Sequence, residues 1–227
     1  MAFSLETFRF LDALALNNHR EWFEAHKARY EQDVREPALA FIRAMAGPLA
    51  RVTPHFVVED KKVGGSLMRV HRDTRFGHDK TPYKTNVGIQ FRHAAGKDVH
   101  APGFYVHVAA DGCFLGLGLW RPEPPALAAI RRKIDAEQAR WKRLVDPKAL
   151  AKKGLAMGDG DPLKRVPKGY PVDHPLADEL KKTSFILHRD LTADEVMSAG
   201  FVGLVGKHFA AGSEHMRFLC EAVGVPF

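Results

Sequence analysis

An α+β fold is predicted, with a central, largely antiparallel sheet, an N-terminal helical hairpin and C-terminal helices packed on it. Three observations predict it. Apolar residues recur at helical spacing over the first fifty residues, the period changes to two between about residues 57 and 120, and helical spacing returns after Pro124. In the middle stretch, Asp111-Gly112 separates two alternating runs, a strong short hairpin signal. Antiparallel strands joined by short turns, with helices before and after, define this class. One domain over 1–227 is expected, with a helical lead-in at about 4–50, a sheet at about 57–120 and a helical part at about 124–225.

Each element has its own signal. Ser4 is placed to cap a first helix whose stripe is Phe8, Leu11 and Leu14, broken at Asn17-Asn18. A second helix carries Trp22, Phe23, His26 and Tyr30 on one face. Pro37 suits the first turn of a third, striped by Leu39, Ile42 and Met45 and ended near Gly47-Pro48. Ser66–Asp73 alternates Met68 and Val70 with Arg69, His71 and Asp73, and Thr85–Arg92 alternates Val87, Ile89 and Phe91 with Asn86, Gly88 and Gln90. Phe104–Ala110 and Cys113–Trp120 flank the hairpin turn. Pro122, Pro124 and Pro125 then start a helix through Leu127, Ile130, Ile134 and Trp141 toward Asp146-Pro147. Residues 154–175 form a long irregular connection rich in Gly, Pro and Asp. Phe185–His188 reads as an edge strand, Thr192-Ala-Asp-Glu195 as a capping box, and Glu214–Val223 as a last helix.

Several function classes drop out. Two cysteines, Cys113 and Cys220, make no disulfide framework, and no zinc spacing occurs among the cysteines and the 12 histidines. The N-terminal residues lack a basic region followed by an apolar one, so no signal peptide is expected. The most apolar long stretch, Gly103–Trp120, alternates and is interrupted by His107 and Asp111, so no membrane span is expected and the default compartment is the cytoplasm. No bound metal is expected, because the arginines near His71, Asp73 and His107 would repel a cation. No Walker loop, dinucleotide fingerprint or nucleophile elbow is present, so neither a cofactor nor a reaction class is implied.

The charge is localised. Between Lys61 and Lys97 nine cations face only Asp73 and Asp79, which accounts for the entire formal charge of +7; starting the window at Glu59 lowers it to +5. Its densest part, Arg69 to Asn86, is read as a strand end and loop. There Arg69, Arg72, Arg75, Lys80, Lys84 and Asn86 are expected to converge on an anion, with Asp73 and Asp79 holding the arginines in place. The alternative is a structural network in which the two aspartates merely pin a long loop.

The combination of Asn17-Asn18-His19-Arg20-Glu21-Trp22-Phe23, Arg72-Asp73-Thr74-Arg75-Phe76 and Asp79-Lys80-Thr81-Pro82-Tyr83-Lys84-Thr85 resembles the family called domain of unknown function 2461. Gly103-Phe104-Tyr105, the stretch Ala126–Arg131 and Leu163–Tyr170 are similar to it as well. The resemblance spans nearly the whole chain and implies one intact domain. It supplies no activity, cofactor or catalytic residue.

With Asp111-Gly112 as a two-residue turn, Ala110 pairs with Cys113, His107 faces Gly116, Tyr105 faces Gly118 and Gly103 faces Trp120. One face is then apolar, and the other sets His107, Tyr105 and Trp120 opposite glycines. That second face is either a shallow trough ringed by Asn86, Gln90, Arg69 and His71 or a seat for a helix. The leading expectation is a site for a small phosphorylated or polycarboxylate ligand, with His107 or Tyr105 moving a proton, Trp120 in support, and Lys164, Arg165 and Lys168 closing over it. Two alternatives are a non-catalytic module that docks an acidic partner, and a nucleic-acid-binding protein using Phe76, Tyr83 and Phe91 among the cations.

Overall fold

A computed structural model describes residues 3–61, 64–75, 79–95 and 101–227. Expectations for Lys62, Phe76, Gly77 and Lys97 lie outside the described residues. The N-terminal part comprises α1 (Leu5–Leu16), α2 (Arg20–Ala25), α3 (Lys27–Tyr30), a π-helical turn (Glu31–Arg35) and α4 (Glu36–Val52). Then come β1 (Asn86–Arg92), β2 (Gly103–Ala109), β3 (Gly112–Leu119), α5 (Pro124–Ala136), α6 (Gln138–Leu144), α7 (Pro147–Lys152) and the two-residue β4 (Ala156–Met157). The chain ends with α8 (Ala177–Lys181), β5 (Phe185–Leu191), α9 (Ala193–Met197), α10 (Phe201–Ala211) and α11 (Ser213–Val223). All five strands form one antiparallel sheet in the order β1-β2-β3-β5-β4, with helices on both sides: the predicted α+β class. No helix among the described residues is long and apolar enough to cross a membrane.

The second and third predicted helices run together. Pro37 has no N–H for the carbonyl of Asp33, four residues earlier, and the Thr7 hydroxyl of α1 donates to that carbonyl at 2.6 Å. This ties α1 to the π-helical turn. Nor does Gly47-Pro48 end α4, which continues to Val52 with Pro48 inside it. The carbonyl that Pro48 leaves unpaired belongs to exposed Ala44, while Met45 and Leu49 are fully buried on the opposite side. A Cβ on Gly206 of α10 would sit only 3.0 Å from the Pro48 ring, so the two helices pack closely at that point.

Ser66–Asp73 is not a continuous strand; it meets β1 and the following turn only through isolated bridges, Leu67 with Ile89 and His71 with Tyr83. The chain bends at Val70, so Leu67 and Val70 rather than Met68 and Val70 pack on the core. The helix after Trp120 breaks at Glu137. Phe185–Leu191 is not an edge strand but lies between β3 and β4.

The hairpin register also differs. The turn residues are Ala110-Asp111, so His107 faces Phe114, Tyr105 faces Gly116 and Gly103 faces Gly118. The slip is two residues, which preserves every face. Phe104, Val106, Val108, Leu115 and Leu117 are fully buried against α4 and α10 in the main core. A second core gathers Leu119, Ile130, Ile134, Leu180, Phe185 and Phe218 around fully buried Trp141.

Gly118 has φ +141°, and a Cβ there would fall 1.9 Å from the Phe185 carbonyl oxygen. Gly118→Ala should therefore cost about 3 kcal/mol or more in urea unfolding. Gly112→Ala, with open space around its Cβ, should stay within about 0.5 kcal/mol. Fully buried His215 gives a second test. Its Nε2 lies 3.4 Å from the Phe185 carbonyl, its Nδ1 has no partner among the described residues, and burial lowers its pKa to about 4. The unfolded chain binds this proton more tightly, so stability is complete above about pH 6.5 and falls toward pH 4, by about 3 kcal/mol in total. His215→Leu should flatten that acid limb in pH-dependent unfolding.

Candidate functional site

The segment leading into β1 is set by one side chain from the helical lead-in. Asn18, between α1 and α2, donates from Nδ2 to the Tyr83 carbonyl at 2.9 Å and accepts the Tyr83 N–H on Oδ1 at 3.0 Å. The amide thus pairs with a backbone as a neighbouring strand would. Phe23 of α2 stacks on the buried Tyr83 ring, with centroids 4.0 Å apart and planes at 18°, and His71 lies 5.1 Å from the same ring. The sequence shows Asn17-Asn18 as a helix break; only its presence beside Pro82-Tyr83-Lys84 in the family resemblance points to this role.

Most of the loop cations are spoken for. Arg72 pairs with Asp79 and donates to Thr81 Oγ1 at 3.0 Å, while Asp79 also accepts from the Thr81 amide at 2.9 Å. Arg75 forks onto both oxygens of Asp73 at 2.9 and 2.7 Å, and Lys80 donates to the Thr74 carbonyl at 2.8 Å. The side-chain hydrogen bonds from Arg75 hold Asp73 far below the usual carboxylate range, and the Thr81 amide lowers Asp79. The five charged side chains are exposed. The geometry of Arg72, Arg75 and Lys80 is that of the pinned loop.

Lys84 differs. It is half-buried and has no carboxylate partner among the described residues; burial and then the Arg69 guanidinium push its pKa below the ordinary value. Arg69 itself reaches Asp73 only at 4.0 Å. Lys84 and Asn86 share a narrow cleft with Leu11, Leu14 and Val34 from the helical lead-in and Met68 and Val70 from the bent segment. Tyr30 and Arg35 also line it. Arg35 is neutralised by Glu31 at 2.6 Å, and burial pushes the Tyr30 phenol up to about 12, so it stays protonated at neutral pH.

Behind Lys84 runs a polar chain on the outer face of the sheet. Asn86 Nδ2 lies 3.5 Å and Tyr105 Oη 3.2 Å from His107 Nδ1, and the imidazole stacks on Phe114 at 4.6 Å. Asn86 Nδ2 can only donate, whereas Tyr105 Oη donates to Nδ1 or accepts from it according to the imidazole tautomer. Burial lowers the pKa of His107 and raises that of Tyr105, which keeps both neutral at pH 7. His107 is thus engaged at Nδ1 by Asn86 and Tyr105.

The glycines of this face do not open the expected trough. Tyr105 fills it: a Cβ on Gly88 would lie 2.9 Å from Tyr105 Oη, and one on Gly116 would lie 3.7 Å from the same side chain. Gly118 instead lets β5 approach. Of the expected rim, Asn86 and Gln90 share the face, but Met68 rather than Arg69 adjoins Gly88, and His71 lies against Tyr83. Trp120 is 66% exposed beyond the end of β3, under the Arg121 guanidinium, and supports none of these residues. Lys164, Arg165 and Lys168 are exposed on a loop tied to β5 and α8 through Gly158, Leu163 and Thr183, on the β4 side of the sheet and opposite Lys84. Among the described residues, no group of three or more His, Cys, Asp or Glu could hold a metal ion.

Asn18→Ala would strand both polar groups of the Tyr83 backbone. A loss of about 2–3 kcal/mol is expected in denaturant unfolding, whereas Arg72→Ala, which removes an exposed pair, should cost no more than about 1 kcal/mol.

No curated protein and no solved structure matches the chain. One family model does, described as conserved hypothetical protein (DUF2461), and it matches residues 6–218 of the 227. The match takes in the Asn18 clamp, the pinned loop, Lys84 and the Tyr105–His107 chain, so the chain belongs to the domain of unknown function 2461 family.

Proposed function

We propose that the protein binds a small anionic compound, phosphorylated or polycarboxylate, at the β1 edge, and that Lys84 makes the central charge contact. The observation that carries this reading is the half-buried Lys84 ammonium, which has no counter-charge among the described residues and lies near a second cation, Arg69. Placing a cation in such surroundings destabilises the fold unless an anion completes the site. Asn86 adds a neutral hydrogen-bonding group to the cleft, and His107 and Tyr105 buttress it from behind. The paired arginines of the loop take a supporting part, holding the segment that presents Lys84. His107 and Tyr105 serve in this reading to position Asn86, which meets the imidazole at Nδ1.

Two measurements test this. Lys84→Met should raise the melting temperature in ligand-free buffer, because it relieves the desolvated charge. The sign follows from linkage: a lysine whose folded pKa lies below its unfolded value weakens the fold while protonated, and stability recovers as pH rises toward 10.5. In a thermal-shift panel of inorganic phosphate, phosphorylated metabolites and polycarboxylates, the wild type should be stabilised, with 100-fold excess over Kd giving about 2.7 kcal/mol. Lys84→Met should lose that response, and Arg72→Ala should keep it. A response that instead follows Arg72 and Arg75, or steeply salt-dependent nucleic-acid binding that replaces it, would overturn the assignment.

A further inference from the structure

We propose that a second surface, on the β4 side of the sheet and away from Lys84, binds single-stranded nucleic acid: a base stacks on Trp120, and neighbouring phosphates meet Lys164, Arg165 and Lys168. The indole is held outward by its surroundings. Leu119 before it and Pro122 after it are buried, yet Trp120 between them is 66% exposed. Arg121 and Asp161 are the two non-glycine residues with left-handed backbone among those described, at φ 43° and 45°, and they meet in an ion pair of 2.6 Å. The Arg121 amide also donates to the buried Ser184 hydroxyl at 2.9 Å. Such backbone is uncommon for a long side chain and persists where surrounding contacts fix it. Here they fix the guanidinium over the indole, 5.4 Å from its centroid, which orders the ring and leaves its other face to solvent.

The segment that supplies Asp161 also supplies charge. The Leu163 amide donates to the Lys181 carbonyl at 2.8 Å, tying this loop beside α8. Residues 163–170 then carry Lys164, Arg165 and Lys168 and no acid. All three are exposed, and none has a carboxylate partner among the described residues. Lys164 follows three residues after Asp161, which keeps it within about 10 Å along the chain. Three unpaired cations spread over five residues suit the successive phosphates of a strand better than a single small anion. The groups that fix the indole, Arg121, Asp161 and Ser184, are polar. A flat base flanked by phosphates fits such a frame better than the apolar side chains at the centre of a protein interface. The strand must be single, because a duplex keeps its base faces inside the stack.

The test uses the full-length protein and a fluorescein-labelled oligodeoxythymidylate of about 16 nucleotides, near the upper end of usual site sizes. Fluorescence anisotropy at low salt should show binding that weakens steeply as salt rises. Unlabelled oligonucleotide should quench tryptophan emission, and Trp120→Phe should remove that quenching, since Trp22 is half-buried and Trp141 fully buried. Trp120→Ala should weaken binding by about tenfold and Trp120→Phe by much less. Replacing Lys164, Arg165 and Lys168 together by Ala should lower the slope of log affinity against log salt by about 2. Lys84→Met should leave oligonucleotide binding unchanged, and Trp120→Ala should leave stabilisation by inorganic phosphate unchanged, so the two sites stand or fall separately. Absence of binding at low salt, binding that follows Lys84 and not Trp120, or equal affinity for duplex DNA would overturn the proposal. Competition by polyglutamate as effective as by oligonucleotide would overturn it too, in favour of an acidic protein partner.

Discussion

The candidate site depends on two hydrogen bonds from one amide. Asn18 holds the Tyr83 backbone at both its donor and its acceptor, and the Phe23–Tyr83 stack adds a large apolar contact on the same residue. The ion pairs Arg72–Asp79 and Arg75–Asp73 lie within the loop and do not tie it to the helices, and such exposed pairs contribute little in water. With the clamp, Lys84 follows a fixed residue and enters the sheet edge beside Val70, to which its amide donates. The helical lead-in is therefore part of the site's construction, since it supplies both the clamp and one wall of the cleft.

Charge satisfaction separates the cations that hold the loop from the one that is available. Arg72 pairs with Asp79 and Arg75 with Asp73, and Lys80 donates to a carbonyl. Lys84 is the exception because its neighbours are apolar side chains, an amide and another cation. A net positive charge spread over the surface would steer anions generally; in the proposed reading a single desolvated one sets the place of the ligand.

Much of the architecture was legible because it rests on periodicity. The helix stripes, the apolar sheet face of Phe104, Val106 and Val108, and the Thr192–Glu195 capping box were all readable from spacing. What was not legible depends on contacts between distant segments. The hairpin slipped by two residues because Tyr105 needs the space over Gly116 and Gly118 is taken by the Phe185 carbonyl; the local pattern is the same in either register. Pro48 inside α4 is tolerated because its orphaned carbonyl faces water, which sequence alone does not reveal. For the proposed site, the charge count pointed to the segment that carries Lys84 but weighted the arginines, since pairing geometry is invisible in a sum. Lys84 stood among six residues with nothing in the sequence to single it out.

The sheet border formed by the bent 66–72 segment has a colloidal consequence. A regular strand there would offer a row of free N–H and C=O groups onto which a second chain could add. Instead, among the described residues, this segment touches β1 through the isolated Leu67–Ile89 bridge, bends at Val70 and carries the exposed cations Arg69 and Arg72. The irregularity that keeps this stretch from being a strand thus also keeps the sheet from growing. A second copy approaching this border would meet the like charges of Arg69 and Arg72.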